Sequence, residues 1–480
     1  MRSLVFATGA IVVIIPTVPP LSRRRFLQNA ALAGAALSLP SVSWPQDKGE
    51  RPGPPPDGVT VLNPFNRVPV ALIIDDSTCL VNLNRFAVPQ FAEAWQTQRQ
   101  LGGAYNHPWR EWPLEIPDSF VRKFGEWSIE NGVKGKYSVV PYPACVGRID
   151  RGLPGWTGAE LRDSIKLVRD VITPNWDIHP EMITHTWAID TKTGHPYPQK
   201  DLKHMENWEF SVGKSADELA DYLSYALTIL KNVGLPCEGV TTPGGFGNKV
   251  MPALARATLE SVRGVFGSTA GEIPHFFRNL YDKGDESVAP RVFYASGLGT
   301  DDPRCSVSVI GCTGDWTGGW DNTPPVGEDA FITKDLKKGR MVEVIGRGEP
   351  AVMVCHWTGI YWNGQELGFK VFQEVVRRLR ERYGQSIVWM KLAEISRYWA
   401  AKELTKVERP ADGSALVFDA PFACSGFTLR VPVAGAPAPR GLTPVSEGQL
   451  KPGTFYEDKG SLVCCIDLPK GRSELRLSPG

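Results

Sequence analysis

The stretch Val-Ala-Leu-Ile-Ile-Asp-Asp-Ser-Thr at residues 70–78 limits what this chain can fold into more than any other. Successive side chains of a strand point to opposite faces. The unbroken apolar run Val70–Ile74 therefore predicts a strand buried on both sides, as in a parallel sheet covered by helices. The run stops at two carboxylates, Asp75 and Asp76. Acids placed there lie on the carboxyl edge of the sheet, where barrels and open α/β sheets build their sites. The two neighbours point to opposite sides and can take different jobs, one as a metal ligand and one as a proton acceptor. The plain alternative is a solvated turn in which an aspartate caps the next segment of chain.

From Val68 onward, strand-like and helix-like stretches alternate. Strands are expected at Gly135–Val140, Glu181–Trp187, Gly239–Thr242, Gly264–Ser268, Val292–Ala295, Ala351–His356 and Ser386–Met390. Helices are expected at Pro117–Asn131, Leu161–Val171, Ala216–Lys231, Lys249–Leu259 and Phe369–Tyr383. This order predicts an α/β fold, most economically a (β/α) barrel, over residues 67–403. Beyond Leu404 the helical spacing vanishes. Ser414–Asp419, Gly426–Pro432, Thr454–Glu457, Leu462–Ile466 and Glu474–Leu477 read as strands of a small all-β module, a sandwich, over residues 404–480. Residues 44–66 contain Arg-Pro-Gly-Pro-Pro-Pro-Asp-Gly and read as an extended Pro-rich linker.

The N-terminus addresses the compartment. Ser22-Arg23-Arg24-Arg25-Phe26-Leu27 matches the twin-arginine export pattern, and a weakly apolar stretch, Ala30 to Leu39, follows it. Small residues Ser41 and Ser43 then stand where a signal peptidase would cut, before Trp44. Residues 1–43 are expected to be a signal peptide read by the twin-arginine export machinery, with the periplasm or the cell exterior as destination. The formal net charge of +1 gives no support for a nucleic-acid partner. Nine cysteines are scattered without any paired Cys-x-x-Cys spacing, so neither a thiolate zinc site nor a disulfide framework is expected.

The strand ends carry the chemistry. One expected strand finishes in Thr184-His185-Thr186-Trp187, another runs into Thr241-Thr242-Pro243-Gly244-Gly245, and a third finishes in Cys355-His356-Trp357. In a parallel arrangement all share one rim with Asp75 and Asp76. An acid pair and two histidines on one rim suit metal-assisted hydrolysis. A carboxylate and an imidazole hold the cation, while a free acid and a free histidine move protons.

This order of strand ends resembles the polysaccharide deacetylase, or NodB-homology, family. The resemblance covers about residues 68–401. It implies a distorted (β/α) barrel of the glycoside hydrolase/deacetylase type that removes acyl groups from N-acetylated sugars or cleaves related amide and ester bonds. The family's first motif, an apolar strand ending Asp-Asp, is matched by Ile74-Asp75-Asp76, with Ser77 where glycine is usual. By resemblance Asp75 is the general base and Asp76 a ligand of a divalent metal, zinc foremost. The second motif, His-Ser/Thr-x-x-His, begins at His185, but its second histidine position holds Ile189, so a third ligand must come from elsewhere; Asp190 and His195 are the candidates. The third motif, Arg-x-Pro-aromatic-Gly, keeps Pro243 and Gly245 and has Thr241 in place of arginine, which leaves Asp75 without a charged fork. The last, Leu-x-His, is matched by Val354-Cys355-His356 and makes His356 the general acid.

The 15 tryptophans matter because sugar faces stack on indoles. Paired indoles occur in the loops His107–Trp112, Trp316–Asp321 and Trp357–Trp362. Trp316, Trp320 and Trp357, with Pro243 and Gly245 on the rim, are the expected carbohydrate contacts. Two function classes stay open: an exported metal-dependent hydrolase acting on C–N or ester bonds of an acylated polysaccharide, and a catalytically inactive deacetylase-like barrel that binds glycans. The export reading has its own test. Substituting Arg23→Lys together with Arg24→Lys should hold the precursor in the cytoplasm of a twin-arginine-competent bacterium, scored by cell fractionation.

Overall fold

The computed structural model describes residues 48–95, 108–267, 273–432 and 439–477. The twin-arginine segment and its cleavage site, like His107, lie outside the described residues. Among the described residues, nine strands and nine helices position the site. In chain order the strands are β1 (Val68–Asp75), β2 (Gly135–Val139), β3 (Trp176–Pro180), β4 (Gly239–Thr241), β5 (His275–Leu280), β6 (Arg291–Ser296), β7 (Arg304–Gly311), β8 (Ala351–His356) and β9 (Ile387–Trp389). The helices are α1 (Leu83–Trp95), α2 (Asp118–Glu130), α3 (Gly158–Leu167), α4 (Ala216–Asn232), α5 (Met251–Phe266), α6 (Arg340–Gly346), α7 (Trp357–Tyr361), α8 (Leu367–Tyr383) and α9 (Leu392–Leu404). Helix starts are locally encoded. Thr157 and Glu160 close a reciprocal capping box on α3, and Ser215 and Glu218 do the same on α4.

The parallel strands do not form one closed sheet. They fall into two sheets, β8-β1-β2-β3, with β9 beside the start of β1, and β4-β5-β7-β6. All pairs are parallel except β6 with β7. The expected barrel circuit is interrupted at two seams. At one, a single bridge joins Glu181 to Thr241. At the other, Cys312 donates its N–H to Val352 O at 2.7 Å, and Val354 N–H reaches the Thr313 hydroxyl at 2.9 Å.

β1 is buried on both faces, as its apolar run requires. Val70, Leu72 and Ile74 pack into the large cluster shared with the covering helices. Ala71 and Ile73 pack with Phe277, Val309, Val352 and Val354 of the neighbouring strands. That second cluster continues through Leu392, Ile395, Tyr398 and Trp399 of α9 into Leu416, Phe418, Phe427 and Leu429. From Lys406 on, the described elements are strands, apart from one short helical turn at Glu447–Gln449. They form a three-stranded and a five-stranded sheet, and the latter recruits Thr60–Val61 against Cys424–Pro432. The expected boundary at residue 404 is thus bridged by a continuous apolar core. The expected linker is tied down as well: Glu50 N–H bonds Ala295 O at 2.7 Å, and its carboxylate accepts the N–H groups of Gly297 and Leu298.

Several expected elements shift. Residues 181–187 are not a strand; β3 lies just before them and ends at Pro180. Its inward positions, Asp177 and His179, are polar, so no apolar run marked it. Gly264–Phe266 is the last turn of α5 rather than a strand. β5, β7, α1 and α9 carried no expectation. All nine cysteines are free. No helix among the described residues is long and apolar enough to cross a membrane.

Because one apolar cluster joins the interior strands, α9 and the C-terminal strands, Phe427→Ala should lower the stability of the whole chain by about 3–5 kcal/mol. Denaturant unfolding followed by far-ultraviolet and tryptophan signals should show one shared transition. A separate early transition would show instead that the C-terminal strands fold by themselves.

Candidate functional site

β1 delivers two acids to the rim. Asp75 is its last residue, and in the parallel register it stands directly opposite His356, the last residue of β8. Asp76 follows in a left-handed conformation (φ 60°), as does His185 (φ 64°). Each such residue costs roughly 1–2 kcal/mol of backbone strain, and strain of this kind clusters where side-chain direction matters. The chain leaves β3 at Pro180 and doubles back, so Glu181 and His185 meet instead of spreading along a strand.

Asp76, Glu181 and His185 form a group whose ligand atoms lie within 4.8 Å of one another. His185 Nε2 is 2.8 Å from Asp76 Oδ1 and 3.4 Å from Glu181 Oε1. His185 Nε2 approaches Asp76 Oδ1 outside strict hydrogen-bond geometry. Glu181 Oε2 accepts the Asp76 N–H at 2.8 Å, tying the two loops together. All three residues are at most 5% exposed. Burial alone would raise the Asp76 pKa, but the His185 and His356 imidazoles outweigh it and hold Asp76 at about 2. Against its own desolvation, His185 is pushed well up by Asp76 and Glu181. Two carboxylates around one imidazole are an anionic pocket whose charge a divalent cation would balance, and the donor set suits zinc and its neighbours.

Beside this group stand two charge pairs. Lys136, fully buried on β2, donates from Nζ to Asp75 Oδ1, to the Ser138 hydroxyl at 2.7 Å and to Ile74 O at 3.3 Å. All three ammonium hydrogens are thereby used. Burial raises the Asp75 carboxyl to about 6, with Lys136 opposing. On the other side His356 Nδ1 lies 2.6 Å from Asp315 Oδ1; an ionised carboxylate only accepts, so the imidazole donates. Burial would lower His356, yet Asp315, followed by Asp76 and Asp75, lifts it to about 10. The site therefore holds a carboxylate that titrates just below neutrality beside a histidine that keeps its proton well above it.

The expected site residues divide clearly. Asp75, Asp76, His185 and His356 come together. Asp190 and His195 do not join them: they pair across a small hairpin, and His195 is exposed. Glu181 stands instead where a third ligand could come from. The spacing of four that the second motif implies is kept, but it runs from Glu181 to His185 rather than from His185 to Ile189. The Thr241 hydroxyl is 3.2 Å from His179 Nδ1 and is hydrogen-bonded there. Lys136 supplies from β2 the positive partner that Thr241 lacks. Pro243 and Gly245 lie in the turn after β4, where Gly245 N–H bonds Asn207 O at 2.5 Å. Trp357 is 1% exposed and packs among Phe120, Phe124 and Tyr137, so it offers no face to a sugar. Trp316 is half-buried, edge-on to Phe331 at 5.2 Å. Trp320 is half-buried against Phe91, whose ring is 6.5 Å from that of His185.

Glu206 was also not foreseen. Fully buried, its carboxylate accepts the N–H groups of Ile183, Thr184 and His185 and the Tyr222 hydroxyl. It clamps the loop that aims His185. Burial raises its pKa to about 7 against those donors. The signals for Lys136 and Glu181 were a lysine inside an apolar strand and an acid four residues before a histidine.

No protein-family model matches the chain, and no curated protein does. Among solved structures the chain is similar to the crystal structure of Agd3, a carbohydrate deacetylase, at 11% identity and a TM-score of 0.37, covering 86% of this chain and 65% of that one. It is also similar to a protein of Parabacteroides distasonis described as a glycoside hydrolase/deacetylase, at 12% identity and a TM-score of 0.38, covering 76% of this chain and 81% of that one. The chain thus spans less than two thirds of the length of Agd3.

Calorimetric titration with zinc tests the ligand assignment. Glu206→Gln should weaken binding about ten- to a hundredfold by loosening the His185 loop. Glu181→Ala should weaken it more, while Asp190→Ala and His195→Ala should leave it unchanged. Loss of binding in either of the last two would move the site to the hairpin.

Proposed function

We propose that this chain is a metal-dependent hydrolase that removes acyl groups from a carbohydrate, cutting a C–N or ester bond. The observation that carries this reading is the convergence, on one rim, of Asp76, Glu181 and His185 between the Lys136–Asp75 and Asp315–His356 pairs. A divalent cation held by Asp76, Glu181 and His185, zinc foremost, would supply Lewis-acid polarisation of the acyl carbonyl. The protein groups do the rest. Lys136 fixes Asp75 and keeps its charge compensated. Asp75 takes the proton of the attacking water as the new C–O bond forms. His356, held in place and kept protonated by Asp315, gives its proton to the departing nitrogen or oxygen as the old bond breaks. Asp75, Asp76 and Glu181 are buried, which strengthens each of these interactions. The half-buried indoles of Trp316 and Trp320 are the sugar-facing surfaces in this proposal. The twin-arginine motif at Arg23-Arg24 puts the mature protein outside the cytoplasmic membrane, where polysaccharide is the accessible substrate class.

The test is a pH–rate profile on an N-acetylated oligosaccharide. Activity requires Asp75 ionised and His356 protonated. The rate should therefore rise as pH passes about 6 and fall as it passes about 10. A bound cation moves both limbs to lower pH without changing their order. Asp75→Asn and His356→Gln should each cost about a hundredfold or more in kcat. Lys136→Met should move the acidic limb upward, because Asp75 loses the cation that favours its charged form. No turnover on any acylated glycan would leave the glycan-binding reading in its place.

A further inference from the structure

A second group of metal-ligating side chains lies deeper between the sheets and has no part in the chemistry above. Asp177, His179 and His275 place one ligand atom each within 4.8 Å of one another. Asp177 and His179 are inward positions of β3, and His275 begins β5, so the group reaches across the seam between the two sheets. Both histidines are fully buried.

We propose that Asp177, His179 and His275 form a second, structural cation site, taking zinc or a similar divalent transition-metal ion, that staples β3 to β5. Four observations converge on it. The two Nε2 atoms face each other at 2.9 Å, so at most one carries a proton and the other presents a bare lone pair. Each ring is fixed through its other nitrogen to an oxygen. His275 Nδ1 bonds Ile273 O at 3.0 Å, and His179 Nδ1 bonds the Thr241 hydroxyl at 3.2 Å. A carbonyl only accepts, so His275 Nε2 is bare; His179 Nε2 becomes bare when its proton leaves and Nδ1–H donates to the Thr241 hydroxyl, the outer-shell arrangement of a metal-binding histidine. Asp177 is held the same way, with Oδ2 accepting Ala393 N–H at 2.6 Å at the start of α9.

The fourth observation is the residue that backs the two rings. Gly239 of β4 is the register partner of His275. A β-carbon there would stand 2.6 Å from His179 Nε2 and 2.7 Å from His275 Nε2. Only glycine lets both imidazoles approach β4 this closely. Tetrahedral zinc with Zn–N distances of about 2.0–2.1 Å separates two nitrogens by about 3.3 Å. The two nitrogens need to part by only a few tenths of an ångström, and a ligand oxygen of Asp177 already lies within 4.8 Å of a ring nitrogen of each histidine. The ammonium of Lys136, which acts on His179, is already paired with Asp75. The seam needs a fastener, since among the described residues one bridge, Glu181 to Thr241, joins β3's continuation to β4. Asp177 is half-buried and both histidines are fully buried, and the role of a cation here is to hold the sheets in register below the rim.

The test separates the two sites without any activity assay. The full chain carrying Asp76→Ala and His185→Ala, which disables the rim group, is refolded with Zn2+ or Co2+ and analysed for bound metal. One ion per chain should remain. It should resist dialysis against a chelator until the protein is unfolded, and with cobalt it should give the absorption of a tetrahedral site. Its removal should lower Tm by several degrees. Adding Asp177→Asn, which keeps the shape and the bond to Ala393, or His275→Gln should abolish that ion. A folded double variant that takes up no ion at saturating Zn2+ and Co2+ would overturn the proposal. So would an ion that survives both added substitutions.

Discussion

Ionised carboxylates do not stay buried unless something compensates their charge, and this constraint organises the rim. Asp75 and Asp76 end a strand that is apolar on both faces, so they are carried into the interior with it. An uncompensated carboxylate there would cost several kcal/mol or take up a proton. Lys136 answers Asp75, and the His185 and His356 imidazoles answer Asp76. The histidines in turn are held by Glu181 and Asp315, and the His185 loop by Glu206. Each charge is placed by the one before it. The result is a carboxylate and an imidazole, Asp75 and His356, whose pKa values are driven apart by their surroundings.

The interruptions of the sheet are where the site is built. Glu181 occupies the single bridge of one seam. Asp315 follows β7 and His356 ends β8, on either side of the other. A regular ladder would commit these backbone groups to pairing. Where the ladder lapses, the chain can turn, as it does at Met182 and His185 with positive φ, and side chains from both sheets can meet. The second histidine group sits at the first of these seams, which gives the inferred staple a mechanical reason.

The opposite end is packed and apolar. α9 lies against β5, β6 and β7 and against strand Cys424–Pro432, and Tyr398 hydrogen-bonds Leu62 O at 2.8 Å. The C-terminal strands extend the interior apolar cluster through that helix. Separating a strained, charged rim from a packed base lets each satisfy its own demands, the pattern parallel α/β folds share.

The sequence alone determined the parts whose physics is local. The apolar run of β1 dictated burial on both faces, the abrupt Asp75-Asp76 marked the rim, and helical spacing located α2, α4 and α8. Asp75, Asp76, His185 and His356 were legible because each ends or closely follows a strand. Lys136 and Glu181 were not. Lys136 reads as an error in a strand until Asp75 is seen across from it, and Glu181 reads as a strand residue until the chain is seen to bend. β3 stayed hidden because its inward side chains are polar, and they are polar because they face partners on β5 and α9. Tertiary structure alone decided that His185 pairs with Glu181 and not with Asp190 or His195, that Trp357 is core, and that the strands form two sheets. Those outcomes depend on distances between residues far apart in the chain, which no local pattern encodes.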